Sequence, residues 1–205
     1  MEELICREGT VHSVIFQNAE NGYTVLRLLT EEGEVVTVVG CIPCVAPGEH
    51  LTVTGTWEVH PQHGEQLKAQ ELERTLPEEE EDIFAYLSSG ICKGVGPTTA
   101  RRIVDRFGLE TLDILEAEPE RLQEIRGITA KKAMEIGALF RQHMGLRRLM
   151  EFLSRYQLPP VLAMQLRRQY GDAALEKVRE NPYLLSGESC GVEFAVTDQI
   201  ALSLG

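Results

Sequence analysis

The 205-residue sequence predicts a protein in two parts, a small closed β-barrel followed by an all-α array of short helical hairpins. Three observations carry this prediction. Residues 4 to about 69 are β-branched runs broken by turn formers, whereas beyond Leu76-Pro77 the apolar spacing changes from two to about 3.6 residues. The charge is also divided. Residues 1–80 hold four Lys and Arg against fifteen Asp and Glu, or −11 of the total −12, which leaves only −1 for residues 81–205. Within residues 121–148 seven basic groups face two acidic ones, so the second part contains a local positive field that the total conceals.

The strand-like runs fall at 10–16, 23–28, 35–39 and 51–59, with Asn21-Gly22, Glu32-Gly33 and Pro47-Gly48 between them. Glycine tolerates the positive φ that tight reversals require. Four or five short strands in some seventy residues suit an OB-like β-barrel, which leaves no sheet edge open; an SH3-like barrel fits the same pattern. Trp57, the only tryptophan, is expected as a packing anchor of this barrel, with base stacking as the second reading.

The acidic run from Glu78 to Asp82 suits a helix N-terminus, so the domains are drawn at 1–76 and 77–205, the last helical unit reading as cut short at Gly205. Beyond the boundary, Ala100, Ile103, Val104 and Phe107 recur at helical spacing. Ala133, Ile136 and Phe140 do the same, as do Leu146, Leu149, Met150 and Leu153. These stripes read as the core of a compact array of short helices that needs no long one.

The residues that carry chemistry lie between such helices. Ile91-Cys92-Lys93-Gly94-Val95-Gly96-Pro97-Thr98-Thr99-Ala100 reads as helix, tight turn, helix, with two glycines flanking a buried Val and Pro97 at the first helical position. Such a turn leaves backbone N–H groups unpaired at a helix start, where the helix dipole also favours an anion. No side chain there reads a base, so contact with phosphates would be independent of sequence. The candidate DNA-binding residues are Lys93, Gly94, Val95, Gly96, Thr98, Thr99, Arg101 and Arg102. About thirty residues on, Ile125-Arg126-Gly127-Ile128-Thr129-Ala130-Lys131-Lys132 repeats the plan, adding Gly127, Thr129, Lys131 and Lys132, with Thr129 able to act as an N-cap. Leu158-Pro159-Pro160 and Gly191-Val192-Glu193 echo the pattern, but the first lacks glycine and the second puts a carboxylate in the anion's place; neither is expected to touch DNA.

The first turn resembles the helix-hairpin-helix motif of DNA repair and recombination proteins, and the helical part then reads as a tandem helix-hairpin-helix domain. The wider order of features resembles the N-terminal region of ATP-dependent DNA helicases of the RecD/TraA family. The matching pieces are Gly48-Glu49-His50-Leu51, Gly55-Thr56-Trp57, His60-Pro61-Gln62-His63-Gly64, Tyr86-Leu87-Ser88-Ser89-Gly90, Gly94-Val95-Gly96-Pro97, Phe107-Gly108, Glu118-Pro119-Glu120-Arg121-Leu122 and Glu180-Asn181-Pro182-Tyr183-Leu184. This resemblance implies a motor that unwinds DNA 5′ to 3′ with ATP and Mg. The 205 residues contain no Gly-x-x-x-x-Gly-Lys-Ser/Thr loop, so the chain itself is expected to carry no catalytic site and no cofactor. Thr129 and Glu193 stand where the family would carry glycine.

Other chemistries are weakly supported. Cys41, Cys44, His60 and His63 could be imagined around zinc, but the His pair is too closely spaced for a structural site, and no metal is expected. The five scattered cysteines suit reduced thiols, and no run of residues reads as a membrane span or secretion signal, so a cytoplasmic protein is the expectation. The expected partners are DNA, single-stranded or duplex, and the helicase motor. Two rival readings remain open: a protein-interaction module whose acidic barrel docks a partner or the motor, and a Holliday-junction-binding branch-migration subunit, for which a tetramer in solution would speak.

Overall fold

The computed structural model describes residues 4–188 and 190–204. The chain forms two compact units, residues 1–141 and 142–205. The first opens with strands β1 (Ile5–Gln17), β2 (Tyr23–Thr30), β3 (Val35–Cys41), β4 (His50–His60) and β5 (Gly64–Thr75). They close into a barrel in the order β1-β2-β3-β5-β4, all neighbours antiparallel except β3 and β5. Closure depends on β1, thirteen residues long, which pairs with β4 through residues 5–10 and with β2 through residues 9–17. Register shifts at Val11/Ser13 and Val14/Phe16 bend it from one partner to the other. This is the expected OB-like barrel. Its core is the inward alternation of Val11, Leu26, Leu28, Val36, Val38, Leu51, Val53 and Leu67, with Ile42 and Val45 from the loop that follows β3.

That loop is tied from below by a buried ion pair. Glu49, fully enclosed, accepts two bonds from Arg74, Nε to Oε2 and Nη2 to Oε1, each 2.9 Å. Arg74 also donates to the carbonyls of Pro43 and Cys44, and Glu49 accepts the Ala46 N–H. Pro43, Cys44 and Ala46 are thus all bonded to this one pair.

Trp57 departs from expectation. It lies opposite Leu67 in the β4–β5 ladder but is 38% exposed, and Val59 beyond it is more so. The reason is geometric: β3 pairs with β5 only at Leu67 and Lys68, so Trp57, opposite Leu67, stands at the last closed rung of the barrel, and the β4–β5 hairpin runs on beyond it. Trp57 is not the core anchor.

The helical part begins with α1 (Glu80–Tyr86), extended by a wider turn over Leu87–Ile91, and continues with α2 (Pro97–Phe107), α3 (Thr111–Ala117) and α4 (Ala130–Arg155). Helix α4 corrects the expectation of short helices, since its 26 residues join two stripes that the sequence presents as separate. Glycines 137 and 145 lie within it without interrupting it. Unit 142–205 contains α5 (Val161–Tyr170), α6 (Ala174–Glu180) and α7 (Phe194–Leu204). Among the described residues no helix is long and apolar enough to cross a membrane.

The second unit repeats the local plan of residues 94–122 at a spacing of 63 residues. Gly108 and Gly171 end α2 and α5 with φ of 53° and 61°, and the buried Ala100, Ile103, Leu115 and Leu122 correspond to Ala163, Leu166, Val178 and Leu185.

Candidate nucleic-acid interface

The two predicted turns share one geometry. In the first, Gly94 sits at φ 89°, the buried Val95 donates its N–H to the Cys92 carbonyl (3.0 Å), and Gly96 is extended before α2. In the second, 33 residues later, Gly127 sits at φ 94°, the buried Ile128 donates to the Ile125 carbonyl (3.1 Å), and Thr129 precedes α4. The first helical bonds also correspond, Ala100 to Gly96 at 2.8 Å and Ala133 to Thr129 at 2.9 Å. Val95 and Ile128 act as pegs. Each plants the turn in the core and holds the flanking peptides at the surface.

In the first turn, among the described residues, the N–H groups of Gly94, Gly96, Thr98 and Thr99 have no intramolecular acceptor. Gly94, Gly96 and Thr98 are exposed, and a Cβ built on either glycine would meet nothing within 4 Å. Pro97 contributes no N–H. The result is an open row of amide donors at the start of α2, the arrangement that receives an oxyanion. The second turn is similar but not equal. Thr129 Oγ1 accepts the Lys132 N–H at 3.2 Å, so the cap expected from the sequence occupies one amide that the first turn leaves open.

The basic residues divide into engaged and unengaged groups. Arg101, a candidate contact, is held by Glu81 through paired bonds of 2.8 and 2.9 Å and stacks over Phe84 with its guanidinium 4.0 Å from the ring centre. It fastens α2 to α1. Arg106 and Arg121 share Glu124. Lys131 lies 3.9 Å from Glu135, an exposed pair of little strength. Lys93, Arg102, Arg126 and Lys132 have no carboxylate within ion-pair distance among the described residues, and Arg102 instead donates to the Arg126 carbonyl at 3.5 Å. Arg126, absent from the sequence-derived candidates, occupies in the second turn the place of Lys93 in the first. The 33-residue register was the signal that locates it.

The ion pairs predict a pH response. The Arg101 bonds hold the Glu81 carboxyl below its ordinary 4.5, and those from Arg106, then Arg121, do the same for Glu124. A carboxyl whose folded pKa is depressed stabilises above its unfolded value and loses that contribution as pH falls through the folded one. Thermal melts of the chain should therefore change little between pH 7 and 5 on this account and fall as the pH drops below about 4.5. Beside the first turn, burial pushes the Cys92 thiol up to about 11. Labelling with a thiol-disulfide reagent at pH 8 should reach the exposed Cys6 and Cys41 well before Cys92.

In the corresponding turns of the second unit the amides of the bend itself are taken. Gln157 takes the left-handed position at φ 56°, its N–H bonds to Ser154, and that of Leu158 bonds to Leu153; Pro159 and Pro160 have none. In the last turn the Cys190 and Gly191 amides both reach the Gly187 carbonyl, Val192 donates to Leu185, and Glu193 precedes α7. The other sequence-derived constellation is also placed: His60 and His63 stack on each other at the β4–β5 turn, while Cys41 Sγ contacts the Asn21 carbonyl.

A closed five-stranded OB barrel joined to tandem helix-hairpin-helix units is the class that this fold and these turns define. The sequence families agree in order. Residues 2–77 match the OB-fold domain of ATP-dependent DNA helicase YrrC, residues 86–136 a SAM-like helix-hairpin-helix tandem, and residues 142–205 the helix-hairpin-helix domain of ATP-dependent RecD2 DNA helicase. The ATP-dependent RecD2 DNA helicase of Deinococcus radiodurans is 28% identical over 199 residues, 94% of this chain. In kind and in order these domains are similar to the OB and helix-hairpin-helix domains of RecD-like helicases. The chain spans 27% of that relative's length. A chain from the crystal structure of the S. pombe Stn1-ten1 complex matches 35% of this one and 57% of its own length at 22% identity, with a TM-score of 0.29, too low to bear on the fold.

Proposed function

We propose that this region engages DNA on behalf of an ATP-dependent 5′-to-3′ helicase motor, in the cytoplasm, with the turns at Gly94 and Gly127 holding backbone phosphates. The carrying observation is the row of open amides at Gly94, Gly96, Thr98 and Thr99 beside Lys93, with the second turn lying in the positive segment 121–148. ATP and Mg belong to the motor that such a region serves. Contact through amides and unpaired cations reads no bases, so affinity is expected to be independent of sequence and sensitive to salt. Fluorescence anisotropy with a labelled 20-base-pair duplex tests this. Log affinity should fall linearly with log salt, with a slope of about −0.9 per phosphate neutralised by a Lys or Arg, and binding unaffected by salt would count against the reading.

A second reading concerns the barrel. Its outer face and the start of α1 enclose a cleft of about 680 Å3 whose lining includes Glu8, Glu31, Glu73, Glu78, Glu79 and Asp82, with Leu29, Leu76 and Pro77 among the apolar groups. Burial, then Glu79, push the Asp82 carboxyl above its ordinary value. Such a surface repels a phosphate chain and suits a basic protein segment, from the motor or a partner. Reversing Glu73, Glu78 and Glu79 to Lys should leave DNA affinity no weaker while abolishing salt-sensitive association of this region with the separately purified motor. Unchanged association would remove the cleft from the account.

A further inference from the structure

The second turn is the poorer anion site by composition, since the Thr129 cap occupies the Lys132 amide. It also carries a contact that has no counterpart among the bonds at the first turn: the Arg102 guanidinium, from α2, donates to the carbonyl of Arg126. That carbonyl and the N–H of Gly127 belong to the same peptide unit. In a planar trans peptide the two point in opposite directions. A cation held on the carbonyl therefore fixes which way the Gly127 N–H faces, and it draws electron density from the amide, making that N–H a stronger donor. Gly127, at φ 94°, has its N–H without an acceptor among the described residues.

We propose that Arg102 is a positioning residue: it pins the peptide between Arg126 and Gly127 and primes the Gly127 amide for a phosphate, so that the second turn binds only when anchored to the first hairpin. This rests on the phosphate reading above. It assigns Arg102 a part different from the direct phosphate contact expected from the sequence, and leaves the outward cation of this turn to Arg126. The two roles differ in what else they move. A direct contact would add its effect independently of Gly127, whereas a pinning contact acts through Gly127 and is lost when that amide is lost.

Two measurements on the whole 205-residue chain decide it. In the free protein, the Gly127 amide proton should move upfield in Arg102→Gln relative to the parent and return part of the way in Arg102→Lys, which can still reach the carbonyl with one donor. An unmoved Gly127 resonance overturns the proposal whether or not DNA binds. In duplex titrations, Arg102→Gln and Gly127→Asp should each weaken binding about tenfold or more, and the double variant should be no weaker than Gly127→Asp alone. If the two effects multiply, and Arg102→Gln lowers the salt slope by only about one, Arg102 is a direct phosphate contact and the pinning role is wrong. Failure of the parent chain to bind DNA at low salt would instead sink the phosphate reading, while the resonance of Gly127 would still report on the pin.

Discussion

Gly94→Asp is expected to leave the chain folded and to weaken its affinity for a short DNA duplex by at least about thirtyfold, more than any other single substitution in the helical part. Two effects combine. Gly94 sits at φ 89°, where a side chain costs about 1 kcal/mol of conformational energy, although Asp is among the residues that tolerate it best. The larger effect is electrostatic. A Cβ at Gly94 meets nothing within 4 Å, so the carboxylate has room to settle over the open amides of Gly96, Thr98 and Thr99 and take the phosphate's place. Gly94→Ala separates the two, because it carries the backbone cost without the charge; its affinity should fall only a few-fold. Circular dichroism melts and anisotropy on both variants check the expectation. Equal losses for Ala and Asp would mean that turn conformation, not anion binding, is what the mutation disturbs.

Arg74→Ala should be the most destabilising single change in the barrel. It would leave the Glu49 carboxylate enclosed, with its two charge-assisted bonds gone, and would free the Pro43 and Cys44 carbonyls that hold the loop before β4. Removing one partner of a buried ion pair costs about 3–5 kcal/mol, a large part of the net stability of a small domain. Trp57 is the single tryptophan and lies on β4, so its fluorescence during urea unfolding reports on the barrel. The midpoint should fall steeply in Arg74→Ala. A double replacement, Glu49→Leu with Arg74→Met, removes both charges and should recover much of the loss, because an apolar pair no longer pays for desolvation. A midpoint in Arg74→Ala within experimental error of the parent would show that the pair adds nothing.

The sequence makes some of this legible and hides the rest for identifiable reasons. Strands β1 to β4 follow from β-branched runs and the glycines that end them, since one buried face forces alternation. Strand β5 is harder to see. Its twelve residues are mostly Glu, Gln, Lys, Arg and Thr, and only Leu67, Ala69 and Leu72 pack on the core. Trp57 misleads because large aromatics are usually packed, and nothing in the local sequence reveals that β4 and β5 outrun the barrel. The unity of α4 is hidden because its two apolar stripes serve different units of the chain.

At the candidate site, the turns themselves were readable. Gly94, Gly127 and the pegs Val95 and Ile128 are fixed by backbone chemistry that leaves a sequence signature. The roles of the cations were not. Arg101 and Arg102 are neighbours on one helix, yet one is clasped by Glu81 and the other reaches the second turn, a distinction made by residues 20 and 24 positions away. Long side chains choose partners in space, and sequence spacing does not record the choice.

The central claim is that backbone amides at two turns accept phosphates, and backbone amides can be watched one by one. In a titration of the isotopically labelled chain with duplex DNA at low salt, the amide resonances of Gly94, Gly96, Thr98, Thr99, Gly127 and Lys131 are expected to move together and saturate at one concentration. Those of Gly191 and Val192, already bonded within their own turn, should stay still. Movement confined to the barrel or to the last turn, with the Gly94 and Gly127 amides unmoved at saturation, would contradict the account.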